Sequence, residues 1–176
     1  MKNKNLFVTT KKEIVYQNEW SSVTKTNIEN ENLKKEIFTT NFGKRSAVIV
    51  YADEKVLLTK QYRLLIDNFS WEIPGGRAKD FESFEEAASR ECEEETGYRC
   101  ISLSPLISFQ PGLETLNNPT EIFLCRDFEK NETSENSETV ESLWFPLKEI
   151  KELLKEGFFL DSLTIIGLQA IFLKDI

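Results

Sequence analysis

The chain has 176 residues, enough for one domain with a small appendage, and 40% apolar residues including 13 Phe and 3 Trp can build a core. Thirty acidic against 22 basic residues give a net charge of −8, the reverse of what a nucleic-acid backbone binder carries. Histidine is absent, which excludes a histidine general base, Ser-His-Asp or Cys-His catalysis, and any His-ligated zinc site.

The chain starts Met-Lys-Asn-Lys-Asn and no apolar stretch long enough for a leader's core or a membrane span follows, so neither is expected. Glu13–Tyr16, Trp20–Thr26 and Leu33–Thr39 read as short strands separated by Asn-rich turns. Ser46–Tyr51 and Lys55–Gln61 read as a hairpin around Ala52-Asp53-Glu54, and Phe69–Ile73 as a short strand stopped by Pro74-Gly75-Gly76. A helix follows, then strands near Ile101–Phe109 and Glu121–Arg126. A polar acidic stretch runs from Asp127 to Glu141, and Leu143–Phe145 is a last short strand. Helices at Leu147–Glu156, with Gly157 as C-cap, and Ser162–Leu173 finish the chain. Strands interleaved with a few helices predict an α/β or α+β fold. Cys92, Cys100 and Cys125 are odd in number and lack CxxC spacing, as reduced thiols of a cytoplasmic protein would be.

The helix at 83–96 carries the chemistry. Ser83 and Glu86 have capping-box spacing, and Gly97 stands where a left-handed C-cap belongs. Phe84, Ala87, Ala88 and Cys92 form a candidate buried stripe. Glu91, Glu94 and Glu95, at i, i+3 and i+4, share a face, with Arg90 one turn before Glu94. Like charges at that spacing repel, and acids in the last turns oppose the helix dipole. A divalent cation removes both objections. Carboxylate oxygens without His or Cys suit Mg²⁺ or Mn²⁺.

Gly76, Glu82 and the run Arg90-Glu91-Cys92-Glu93-Glu94-Glu95-Thr96-Gly97-Tyr98 keep fixed spacings. Together they resemble the 23-residue Nudix box, with Cys92 and Tyr98 in its apolar slots. The resemblance implies an α/β/α sandwich with a mixed β-sheet, and Mg²⁺-dependent hydrolysis of a nucleoside diphosphate linked to another moiety. It implies Glu91, Glu94, Glu95 and the Gly75 carbonyl as metal ligands, with Arg90 holding the glutamates in position. Glu82 is expected to brace the segment before the helix rather than to ligate.

Gln61-Tyr62-Arg63 and Trp71-Glu72-Ile73-Pro74-Gly75-Gly76 are similar to segments of the ADP-ribose pyrophosphatase branch, where they flank the substrate cleft. By that likeness Arg63 contacts the diphosphate, and Glu72 the ribose or base. Pro111-Gly112 and the following segment, with Glu114, correspond to the loop that reads the second half of the substrate. That loop departs from the branch's Ser/Thr-Asp-Glu pattern, so another sugar nucleotide such as GDP-mannose or ADP-glucose stays open beside ADP-ribose. The acidic stretch resembles the segment supplying the glutamate that activates water: Glu138 first, Glu135 and Glu141 as alternates. The products from ADP-ribose would be AMP and ribose 5-phosphate. A catalytically silent Nudix ligand-binding module is the reading from another class.

Residues 1–42 are expected to form a β-strand arm and 43–176 the Nudix domain. Strands with no helix to cover them need burial elsewhere, and in this branch such arms pack across a two-fold axis, so a homodimer is expected. The acidity is concentrated: residues 82–95 hold seven acids and one base, and residues 127–141 six acids and one base.

Overall fold

The computed structural model describes residues 6–131 and 139–174. In chain order the strands and helices are β1 (Val8–Gln17), β2 (Ser22–Glu29), β3 (Lys34–Asn41), β4 (Arg45–Ala52), β5 (Lys55–Arg63), β6 (Asn68–Glu72), β7 (Gly75–Arg77), α1 (Phe84–Thr96), β8 (Tyr98–Phe109), β9 (Leu116–Asn117), β10 (Thr120–Lys130), β11 (Glu141–Pro146), α2 (Leu147–Lys155) and α3 (Ser162–Leu173). They fall into two compact units: Met1–Lys44 with Phe109–Pro119, and Arg45–Ser108 with Thr120–Ile176.

In the first unit, β1, β2 and β3 form an antiparallel meander, and β9 adds in parallel beside Thr40 and Asn41. Asparagine side chains close both turns. Asn18 Oδ1 accepts the N–H groups of Trp20 and Ser21, and Asn30 Oδ1 those of Asn32 and Leu33. The strands mostly run longer than the side-chain pattern predicts, because ladder hydrogen bonds rather than alternation set their ends. No described residue of this unit is buried. Val8, Ile14, Trp20 and Phe38 all stand exposed on the single chain.

The second unit is a mixed sheet in the order β11-β5-β4-β10-β8, with β6 also pairing β5 and β7 pairing β4. β4 runs parallel to β10 and antiparallel to β5, which makes it an inner strand. It is apolar on both faces for that reason. Val48 and Val50 point one way and join Leu57, Phe123 and Cys125 beneath Ala88 and Cys92 of α1. Ile49 points the other way: with Ile73 and Ile122 it abuts α3 so closely that a Cβ on Gly167 would lie 3.0–3.3 Å from their Cδ1 atoms. Helices thus cover both faces of the sheet, the α/β/α layering expected. The three cysteines are free and buried. Among the described residues no helix is long and apolar enough to cross a membrane.

The β4–β5 turn places Asp53 and Glu54 at φ 48° and 59°, the paired left-handed geometry of a tight hairpin. β7 and β9 were not legible in sequence, since strands of two or three residues carry no periodicity.

Candidate active site

Helix α1 is built as its sequence predicts. Ser83 Oγ accepts the Glu86 N–H at 3.1 Å, Glu86 Oε2 accepts the Ser83 N–H at 2.8 Å, and Gly97 ends the helix at φ 73°. The buried side is Ala87, Ala88, Cys92 and also Glu95, with Phe84 partly buried beside them.

Arg90 organises the acidic side. Its Nε and Nη2 donate to the two Glu82 oxygens at 2.8 and 3.0 Å, and Nη2 also to the Arg77 carbonyl at 3.0 Å. Its Nη1 donates to Glu91 Oε1 and Glu94 Oε2, both at 2.8 Å. Glu82 further accepts the Lys79 N–H at 2.7 Å, so it ties the preceding turn to Arg90. The guanidinium holds the Glu82 carboxyl below its ordinary value, and the Arg90 pKa rises chiefly through Glu82.

The three glutamates of the shared face meet different surroundings. Glu94 is 53% exposed and also lies 3.9 Å from Lys79 Nζ. Glu95 turns inward and is 7% exposed. Gln61 Nε2 donates to its Oε1 at 2.6 Å, and the Gly75 N–H to its Oε2 at 3.1 Å. Burial pushes its carboxyl up to about 7, with the charge of Glu91 adding to that rise and the Gln61 and Gly75 bonds opposing it.

The glycine pair allows this approach. A Cβ at Gly75 would lie 2.5 Å from both the Ala47 Cβ and the Ser46 carbonyl oxygen. One at Gly76 would lie 2.5 Å from the Glu91 carboxyl carbon and within 2.7 Å of both its oxygens. At Gly75 an added Cβ would strike backbone, and at Gly76 it would have to displace the Glu91 carboxylate, so the two glycines let backbone and carboxylate come into direct contact.

Among the described residues, no three Asp, Glu or Cys side chains converge as a ready-made metal cluster. Arg90 draws Glu91 and Glu94 toward itself, while Glu95 is held by Gln61 and Gly75. The donor chemistry nevertheless fits a hard divalent cation. Only oxygens are on offer, and Glu91 stands one helical turn from Glu95, near enough for its charge to resist Glu95 ionisation. A dication placed between them relieves that repulsion.

The family model described as "NUDIX domain" matches residues 42–163. The chain belongs to the Nudix family.

Its relatives add detail. It is 37% identical over 129 residues to the CMP-5'-(N-acetyl-N-hydroxy-3-aminopropyl)phosphonate hydrolase of Streptomyces rubellomurinus, a match covering 72% of this chain and 63% of that protein. The chain thus spans a little under two thirds of that relative's length. It is 31% identical over 134 residues to the ADP-ribose pyrophosphatase of Bacillus subtilis, covering 73% of this chain and 72% of that one. Among solved structures, a crystal structure of an ADP compounds hydrolase matches with a TM-score of 0.83 at 18% identity, over 99% of this chain and 98% of that chain, and so shows the shared fold. This Nudix chain falls in the ADP-ribose pyrophosphatase-like branch.

The other predicted Nudix site residues separate by strand face. Arg63 and Glu72 bind each other, Nε to Oε1 at 2.9 Å and Nη2 to Oε2 at 2.5 Å. Arg63 on β5 shares a face with Thr59 and Gln61, and Glu72 on β6 stands opposite Thr59 on that same face, the one toward Glu95. Glu141 pairs in register with Lys60, which puts it on the opposite face, 3.8 Å from Lys60 Nζ. The structure therefore does not bring Glu141 beside Glu95, although Ser142, one residue on, reaches the Glu95 carbonyl at 3.5 Å. Gly112 and Glu114 belong to the first unit, where the Gly112 carbonyl accepts the Leu116 N–H and Glu114 pairs with Lys35 at 3.1 Å. Glu135 and Glu138 lie outside the described residues. Gln61 was read from sequence only as part of the Gln61-Tyr62-Arg63 segment, with no role of its own. Its signal is period two: a polar residue on the face of β5 that Leu57 buries.

Proposed function

We propose that this Nudix chain hydrolyses the diphosphate of a nucleoside diphosphate sugar, ADP-ribose in the first instance, to AMP and ribose 5-phosphate. The carrying observation is the carboxylate array of α1, clamped by Arg90 and pressed against the Gly75-Gly76 backbone. The ADP-ribose pyrophosphatase of Bacillus subtilis among the relatives supports the substrate class.

Glu91, Glu94, Glu95 and the Gly75 carbonyl would hold Mg²⁺, or Mn²⁺ in its place. Such a cation supplies positive charge against the diphosphate and acidifies water. Arg90 keeps Glu91 and Glu94 extended on one side of α1. Arg63 presents its guanidinium to the diphosphate while Glu72 fixes its plane. Gly112 and Glu114 read the second half of the substrate. A glutamate of the acidic segment takes the proton of the attacking water. Glu138 is the first choice and Glu135 the second. The sheet register of Glu141 argues against that residue.

A second reading follows from the Streptomyces relative, whose name gives a CMP-linked phosphonate as what it hydrolyses. Product analysis with ADP-ribose, ADP-glucose, GDP-mannose and a CMP-linked phosphonate, each with Mg²⁺ and with Mn²⁺, separates the readings. Dominant turnover of the CMP compound or GDP-mannose overturns ADP-ribose. Tight nucleotide binding without turnover in either cation favours a silent ligand-binding module.

The strand arm, residues 1–42, pairs two copies into a homodimer, and residues 43–176 carry the chemistry. A three-stranded meander in which no described residue is buried supports this, because such strands need cover. Light scattering on the wild type and on Ile14→Lys tests it: a dimer that the substitution splits is expected. A wild-type mass of 20.4 kDa, one chain, overturns the dimer.

A further inference from the structure

We propose that Gln61 is a positioning residue of the cation site, fixing the Glu95 carboxylate for cation binding while adding no charge of its own. The inference rests on the reading of Glu95 as a cation ligand given above.

Gln61 is only 4% exposed. On its face of β5, Leu57 is part of the apolar core and Thr59 is fully buried, so an apolar residue at 61 would continue the pattern. A buried amide is costly unless bonded, and its Nε2–H group is spent on Glu95 Oε1 at 2.6 Å. Glu95 Oε2 takes the Gly75 N–H at 3.1 Å. A carboxylate carried by α1 is thus held by one donor from β5 and one from β7. A carboxylate oxygen accepts at more than one lone-pair position, so a single donor does not by itself bar a cation.

The strand that presents Gln61 is itself fixed. The Lys60 carbonyl accepts the Val140 N–H at 2.9 Å, and Lys60 Nζ lies 5.2 Å from the Phe69 ring centroid and 5.7 Å from that of Trp71. Those contacts lock the register that aims Gln61 at Glu95.

The contrast with Arg90 gives the physical reason for an amide. Arg90 holds Glu91 and Glu94 by charge as well as by hydrogen bonds, so it competes with a cation for them. A Lys or Arg at position 61 would do the same to Glu95. A neutral donor orients the carboxylate and leaves its charge for the metal.

The test is Mn²⁺ binding to the purified chain, followed by the electron-spin signal of free Mn²⁺, for wild type, Gln61→Met, Gln61→Leu and Glu95→Gln. Both Gln61 variants remove the donor without adding charge and are expected to bind Mn²⁺ about 10- to 100-fold more weakly. Turnover should recover at saturating cation with an unchanged KM for nucleotide. Thermal melts without metal verify folding, and Gln61→Leu carries the test if Gln61→Met does not fold. An unchanged Mn²⁺ affinity in the Gln61 variants, with Glu95→Gln weakened, overturns the role of Gln61 alone. A wild type that binds no Mn²⁺, or Glu95→Gln binding as wild type, overturns the cation reading and this inference with it.

Discussion

Arg63 grips Glu72 through two bonds at 2.9 and 2.5 Å, and the carboxylate so held is 4% exposed. The pairing raises the Arg63 pKa, with the Glu72 hydrogen bond as the main cause. On the proposed reading, a Glu72 so held aims Arg63 at the diphosphate. Arg63→Met should destabilise the fold by about 2 kcal/mol, less than for a fully buried pair because Arg63 is half-exposed. Glu72→Gln keeps one of the two bonds and should raise the KM for nucleotide about tenfold with little change in kcat. Urea melts and steady-state kinetics check the two variants; a kcat effect without a KM effect in Glu72→Gln would contradict the aiming role.

Glu95→Gln removes a buried carboxylate and keeps its shape. The metal-free chain should stay within about 1 kcal/mol of wild type, since relief from burying a charge offsets the mismatch of the new amide with its two donors. Turnover should fall about 100-fold or more. Chemical denaturation and product assays at matched concentrations decide it, and near-normal turnover rejects Glu95 as a cation ligand.

Gly76→Ala tests the contact between backbone and carboxylate. The added methyl would overlap the Glu91 carboxyl at 2.5 Å, and that carboxyl is the far end of a side chain that can swing away. Stability should therefore change by less than about 1 kcal/mol, whereas the concentration of Mg²⁺ needed for half-maximal turnover should rise at least about tenfold. A Mg²⁺ titration of activity beside a thermal melt separates the two effects.

Glu82 links the fold to acid stability. Arg90, together with the Lys79 N–H, lowers its folded pKa below the ordinary value of 4.5. A lowered carboxyl pKa contributes stability that is fully present above 4.5 and is lost as pH falls through the folded value. Glu82→Gln should thus lower the urea midpoint at pH 6 and flatten its fall between pH 4.5 and acid. An acid limb as steep as that of wild type would show that the link to Arg90 adds no net stability.

The local elements were legible because their causes are local. The capping box of Ser83 and Glu86 and the left-handed Gly97 mark α1 to the residue. The Asn18 and Asn30 turns are closed by side chains that act on their own backbone. The inward Glu95 was less visible. Helical spacing puts it on one face with Glu91 and Glu94, but spacing does not say that β5 brings a donor to meet it.

By itself, the sequence determined the order of the longer strands and the helices, the absence of imidazole chemistry, the spacing of the acidic helix and the likeness that its motifs carry. Only the tertiary structure decided which carboxylates meet which partners. Arg90 collects Glu82, Glu91 and Glu94; Gln61 and Gly75 take Glu95; and the register with Lys60 turns Glu141 to the other face of the sheet. The physical reason is that a strand alternates its faces every residue. Pairing register therefore sets a side chain's neighbours, and register is a property of two segments far apart in the chain.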